Sequence, residues 1–260
     1  MKPRIAIPIP HTDSKYSSRT LPQYKAAIED AGGEAVEIPL TLSNAEIANL
    51  CKTCDGVLLP GSPADVDPEK FGVANRHPLT APADPLRDNV DELLLQDAHN
   101  MRKPLLGICY GVQSLNVWRN GSLVQHIESQ VQHTRRDDQP RGTVIRHEAL
   151  IDPASRLASI VRSALNINDV GPIQITVNSS HHQSVERPGD GLKVVARSRQ
   201  DDIIEAVEGT AREHWVLGVQ WHPERTFAED GPSRAIFRAL VEAAKKWHEK
   251  TIADFETVRR

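Results

Sequence analysis

In the first half of the chain short apolar runs alternate with amphipathic stretches, an order that few folds can satisfy. Parallel strands joined by crossover helices produce it. A strand buried on both faces reads as a continuous apolar run, while its covering helix keeps one polar face. "RIAIPIP" is the first such strand, and "LPQYKAAIEDAGG" is a helix with Leu21, Tyr24, Ala27 and Ile28 on one face and a Gly32-Gly33 stop. "EAVEIPL" follows as a strand. "SNAEIANLCK" opens on Ser43 with Glu46 at capping-box spacing, and "DGVLLPG" is a buried strand ending in a turn. Residues 62–85 are rich in Pro, Asp and Ala without periodicity and read as a long surface loop. Helix "DNVDELLLQDAHNMRK", strand "PLLGIC" and helix "YGVQSLNVWRNG" complete this half.

Beyond Gly121 the runs take strand composition: "GTVIRHEALI", "IQITVNSS", "LKVVARS", "IIEAVEG" and "WVLGVQW". They are expected to add antiparallel strands. A helix lies near "SRLASIVRSAL", and a last helix, "SRAIFRALVEAAKKWHEK", places Ile236, Phe237, Leu240, Val241 and Ala244 on its core face. The fold class is α/β, with a mostly parallel central sheet flanked by helices and additional antiparallel strands in the C-terminal half. Residues 1–260 are read as one domain. A formal charge of −4 leaves no basic surplus for a phosphate backbone, and Asp137 and Asp138 neutralise the arginines of "HTRRDDQPRG". The N-terminal apolar run, broken by Pro8 and Pro10, is too short for a signal segment, and no later run is long enough to span a membrane. A cytoplasmic protein is expected. Three cysteines, Cys51, Cys54 and Cys109, form a poor disulfide framework and read as reduced thiols.

"PLLGICYGVQ" sets Cys109 at a strand-to-helix turn between Gly107 and Gly111. A nucleophile there is lifted above the sheet edge, and the N-terminus of the following helix favours thiolate. A buried structural cysteine is the plainer alternative. A cysteine nucleophile needs a base and an orienting acid, and "VLGVQWHPERT" offers His222 and Glu224 at a strand end stopped by Pro223. An exposed His-Pro-Glu turn is the alternative there.

Taken together, "GICYGVQ" and "QWHPE" resemble class I glutamine amidotransferases, a flavodoxin-like superfamily with a Cys, His, Glu triad in that order. Within it the chain is most similar to the peptidase C26 family of gamma-glutamyl-gamma-aminobutyrate hydrolases. The similarity runs from Ile5 to about Ala244 and includes "DGVLLPGSPADVDPEKFG", "DPLRDNVDELLLQDA" and "VNSSHHQSVERPGDGLKVVARSRQDDIIEAVE". The resemblance implies Cys109 as nucleophile, His222 as base and Glu224 as its orienting partner. It also implies backbone amides of Ser62 and Tyr110 as an oxyanion hole, and Gly61, Gln113, Ser180 and His181 as substrate-binding residues. Tyr110 stands where these hydrolases commonly carry arginine. The implied activity is hydrolysis of gamma-glutamyl amides, above all gamma-glutamyl-gamma-aminobutyrate in putrescine catabolism, through a thioester. The rivals are a glutaminase subunit feeding ammonia to a synthetase and an inactive binding module of the same fold. No cofactor and no metal is implied. The expected partner is a small-molecule gamma-glutamyl substrate, with no nucleic acid and no membrane, and a homodimer is left open.

Other signals are weaker. His181 and His182 compete with His222 for the role of base but lack a following carboxylate. Gln113 could equally be a surface glutamine by helical spacing. "CKTC" has zinc spacing without a second pair and reads as two unlinked thiols. His126, His133 and His147 are scattered without ligand spacing and read as solvated or core histidines. Arg87 and Asp88 in "DPLRDNVDE" resemble a segment near the site in these hydrolases, and a charged first helical turn is the alternative.

Overall fold

The computed structural model describes residues 1–140 and 142–258. Arg141, within the segment read above as charge-neutral, and the last two residues of the expected 1–260 domain lie outside the described residues. The chain runs β1 (Arg4–Pro8), α1 (Ser14–Asp30), β2 (Glu34–Ile38), α2 (Asn44–Cys51), β3 (Gly56–Leu59), α3 (Pro85–Met101), β4 (Leu105–Ile108) and α4 (Tyr110–Trp118). It continues through β5 (Ser122–Val124), β6 (Ile145–Ile151), α5 (Arg156–Leu165), β7 (Ile173–Ser179) and β8 (Ser184–Arg187). β9 (Leu192–Ser198), β10 (Ile204–Gly209), β11 (Val216–Val219) and α6 (Gly231–Val258) close it. No helix among the described residues is long and apolar enough to cross a membrane.

Among the described residues nine strands form one sheet in the order β2-β1-β3-β4-β11-β10-β9-β6-β7, and β5 pairs with β8 apart from it. From β2 to β11 every pairing is parallel, and from β11 to β7 every pairing is antiparallel. The α/β sheet with added antiparallel strands is as the sequence implies, with one refinement. β11, from the half expected to be antiparallel, inserts parallel to β4.

Alternate side chains of the parallel strands feed cores on opposite faces. Ile5 and Ile7 of β1, Leu106 and Ile108 of β4, and Leu217 and Val219 of β11 pack with α1, α5 and α6. Ala6, Leu105 and Val216 pack with α2, α3 and α4. Burial on both faces is why these strands carry almost no polar residue.

Helix starts follow local chemistry. Ser43 and Glu46 form the capping box of α2, and Ser155 caps α5 through the Ala158 N–H. α1 starts seven residues before the periodic pattern, at Ser14, with Asp13 accepting the Lys15 N–H. Pro22 sits inside it, on the exposed face, where water can satisfy the carbonyl that proline leaves unpaired. β5 and β8 are too short to show a pattern.

The glycines around Cys109 have distinct tasks. A Cβ at Gly107 would lie 2.7 Å from the Gly111 carbonyl oxygen, and one at Gly111 would collide with the Leu59 carbonyl. α4 therefore presses against β3 and β4 backbone to backbone, and only glycine permits it. Gly111→Ala is expected to cost about 3 kcal/mol, the upper end for an overpacked core. Urea unfolding checks this, and an unchanged midpoint would show that the contact can relax.

Candidate active site

β4 and β11 lie in parallel register, Val219 opposite Ile108, so the residues after them emerge at the same sheet edge. The Cys109 N–H donates to the Val219 carbonyl at 2.9 Å, extending the ladder by one bond. Ligands of open α/β sheets bind outside this carboxyl edge.

Cys109 has φ 52° and ψ −107° and precedes the first residue of α4. A non-glycine residue at such a φ is strained, and the surrounding structure has to enforce it. His222 follows β11 closely, and its ring lines the same cavity as the Cys109 thiol. Its Nδ1 faces Glu224 Oε1 at 2.7 Å. Both His222 and Glu224 are buried. Pro223 opens a short 3-10 turn, which folds Glu224 back onto the ring two residues before it. Asn178, at the end of β7, clamps the backbone of His222. Its Nδ2 donates to the His222 carbonyl at 2.7 Å, and its Oδ1 accepts the His222 N–H at 2.9 Å.

Electrostatics reinforce the contact. Burial alone would lower the His222 pKa, but the facing Glu224 carboxylate and then Cys109 outweigh it and raise the value to about 9. Burial would raise Glu224, and the imidazolium opposite holds it below the usual carboxylate range. Tyr16, on α1, is pushed up to about 12, first by burial and then by the Cys109 charge.

Cys109 and His222 open into a cavity of about 660 Å³ lined also by Tyr16, Arg19, Ser62, Ser180 and Arg225. Gly61 lies against His222, with a Cβ position 3.0 Å from His222 Cε1, and its N–H donates to Tyr24 Oη at 3.0 Å. Ser62 Oγ accepts from the Ala64 N–H at 3.2 Å, turning the chain after β3. Tyr110, as the first residue of α4, has an N–H without an acceptor inside its own helix. A larger groove of about 850 Å³ runs along α1 and the end of β2, away from Cys109.

Other residues singled out in the sequence sit elsewhere. The Tyr110 side chain points into the core, where its hydroxyl donates to Asp88 and the Arg87 guanidinium lies 5.0 Å over its ring. Arg87 is not a solvated first-turn charge. It is fully buried, paired with Asp91 at 2.6 Å, and donates to the Pro10 and Pro60 carbonyls at 2.7 Å each. Gln113 is buried rather than on the surface, with Nε2 3.2 Å from both the Gln183 carbonyl and Gln220 Oε1. His181 Nδ1 donates to the Gln183 carbonyl at 2.9 Å, and its Nε2 lies 3.7 Å from Glu205. His182 pairs with Asp65 at 3.0 Å. Cys51 and Cys54 are buried free thiols. His133 and His147, read as scattered, meet around Glu205. Tyr16, Arg19, Asn178 and Arg225 were not singled out in the sequence. Tyr16 and Arg19 lie in the polar start of α1 with no run to mark them, while Asn178 ends the β7 run and Arg225 follows Glu224, polar residues with no pattern of their own.

The sheet and its flanking helices have the fold of class I glutamine amidotransferases. The chain belongs to the peptidase C26 family, whose family model matches residues 9–224. It is 31% identical over 237 residues to the gamma-glutamyl-gamma-aminobutyrate hydrolase of Escherichia coli O157:H7, covering 88% of each chain. A glutamine amidotransferase-like protein of Rickettsia prowazekii is 30% identical over 260 residues, covering 85% of this chain and 88% of the relative. Among solved structures, the glutaminase domain of Trypanosoma brucei CTPS with bound acivicin superposes with a TM-score of 0.57 at 16% identity. That match covers 94% of each chain and shares the fold.

The raised His222 pKa carries a sign. The charged ring contributes stability that is fully present below its ordinary value of 6.5 and is lost as pH rises through about 9. In Glu224→Gln the largest raising influence disappears, so the His222 titration midpoint is expected well below 9. Following its Cε1 proton by NMR checks this, and an unmoved midpoint would show that Glu224 does not hold the charge.

Proposed function

We propose that this protein hydrolyses gamma-glutamyl amides whose departing amine carries a carboxylate, with gamma-glutamyl-gamma-aminobutyrate as substrate and glutamate and gamma-aminobutyrate as products. One observation carries the reading. Cys109 meets His222 and Glu224 on the floor of a pocket that also presents Arg19 and Arg225. Two guanidiniums suit a substrate bearing a carboxylate at each end. Support also comes from the relatives named gamma-glutamyl-gamma-aminobutyrate hydrolase.

In this reading the Cys109 thiolate attacks the gamma-carbonyl carbon, and the backbone amides of Ser62 and Tyr110 receive the oxyanion. The C–N bond breaks as protonated His222 passes its proton to the leaving nitrogen. Neutral His222 then takes a proton from water, hydroxide attacks the thioester carbon, and Cys109 leaves as thiolate while His222 is again protonated. Glu224 keeps the ring in one orientation throughout. Gly61 and Ser180 border the glutamyl moiety, while Gln113 and His181 support the pocket from behind. The enzyme works as a lone cytoplasmic chain in putrescine breakdown, without a partner synthetase.

Cys109→Ala is expected to lower kcat at least about a thousandfold with the fold retained. Arg19→Ala combined with Arg225→Ala is expected to raise KM for gamma-glutamyl-gamma-aminobutyrate at least about tenfold, the scale of one charge-assisted hydrogen bond. The same double variant should raise KM for gamma-glutamylbutylamine by less, because that amide keeps the glutamyl carboxylate and lacks only the one on the departing amine. Steady-state kinetics on both amides and on glutamine check this. Equal losses on both amides would overturn the carboxylate preference. Glutamine cleavage that appears only on addition of cell extract would favour a glutaminase subunit.

A further inference from the structure

Behind the pocket, three histidines from separate segments surround one carboxylate. His133 precedes β6, His147 lies within it, His181 follows β7, and Glu205 lies on β10. The side chains of all four are at least 97% buried.

Their hydrogen bonds fix the tautomers. His181 Nδ1 faces the Gln183 carbonyl at 2.9 Å, which can only accept, so that nitrogen carries the proton and Nε2 keeps a lone pair. His133 Nε2 faces the Asp201 carboxylate at 2.8 Å, so Nε2 carries the proton and Nδ1 keeps the lone pair. Both lone pairs are aimed at Glu205 Oε1, each from 3.7 Å. Neither nitrogen has a hydrogen-bond partner, nor does Glu205 Oε2. Three electron-rich groups therefore converge in a buried interior. Unpaired buried polar atoms of this kind cost about 1–3 kcal/mol each, so something positive belongs there.

The 3.7 Å spacing is wider than a shared proton would hold and closer to the separation of metal ligands. A shared proton would hold nitrogen and oxygen at about 2.7–2.9 Å. Tetrahedral zinc, with bonds of about 2.0–2.2 Å, holds its ligands about 3.4 Å apart. The ligand atoms of His133, His181 and Glu205 all lie within 4.8 Å of one another, close enough to contract onto one ion. Each histidine is already oriented through its other nitrogen by a carboxylate or a carbonyl, the outer-shell arrangement that steers histidine ligands. His147 Nε2 donates to Glu205 Oε1 at 2.9 Å and holds the carboxylate in place.

We propose that His133 Nδ1, His181 Nε2 and Glu205 bind a zinc ion, with water as the fourth ligand. The ion ties the segment before β6 and the turn after β7 to β10. The Glu205 carbonyl accepts the Gln220 N–H at 2.8 Å, two residues before His222, and Ser180 of the same turn lines the pocket. The site thus braces the pocket wall without touching the reacting atoms.

The test uses the full chain, purified with and without EDTA treatment. Metal content is measured by mass spectrometry, and cobalt(II) is titrated into the treated protein while its visible absorption is recorded. One equivalent of zinc in the untreated protein, or one of cobalt giving the intense bands of a tetrahedral site, is expected. Binding should be lost in both His133→Ala and Glu205→Gln and kept in His126→Ala, with circular dichroism confirming that each variant folds. Absence of stoichiometric binding by the wild type overturns the proposal and leaves a protonated histidine cage. Binding that persists in both His133→Ala and Glu205→Gln also overturns it, because the ion would then sit elsewhere.

Discussion

Parallel pairing of β4 with β11 is the constraint on which the rest of the site depends. These strands are separated by more than a hundred residues, yet their register sets Val219 against Ile108 and brings the ends of both strands to one sheet edge. Slipping by a single residue would turn Leu217 and Val219 from one core to the other, so the register is enforced by the hydrophobic pattern itself. Once it is fixed, Cys109 and His222 meet without further adjustment. The Asn178 clamp and the 3-10 turn at Pro223 then set only the ring's orientation and its carboxylate partner.

A second organising element is the buried guanidinium of Arg87. It reaches from α3 to the carbonyls that follow β1 and β3, at Pro10 and Pro60, and so fixes two loops at the same sheet edge as Cys109. Asp91 neutralises it, and the Tyr110 ring lies against it. Breaking such a pair costs far more than the intact pair contributes, because the remaining charge is stranded.

What was legible in the sequence follows from how far each signal reaches. Cys109 and His222 each stand close to the end of an apolar run, and the interrupting Gly and Pro mark the sites of turns, so a local pattern located both. The strand order was legible as a class but not in the placement of β11, since nothing in "WVLGVQW" says which neighbour it pairs with. The start of α1 was hidden by its polar first turn and by Pro22. Arg87 looked like a surface charge because helical position says nothing about which carbonyls lie opposite. The histidines around Glu205 were invisible for a related reason. Their spacing matches no ligand motif, and only the packing of β6, β7 and β10 brings them together.

The backbone at Cys109 has a consequence for what this sequence records. A φ of 52° with a ψ of −107° is a conformation that glycine adopts freely and a side chain resists, at a cost on the order of 1–3 kcal/mol. A chain selected only for folding would place a third glycine between Gly107 and Gly111. Stability spent at one position is visible here without any relative for comparison. Position 109 sacrifices stability for a sulfur atom, and the trade between persistence and chemistry is written into a single torsion angle.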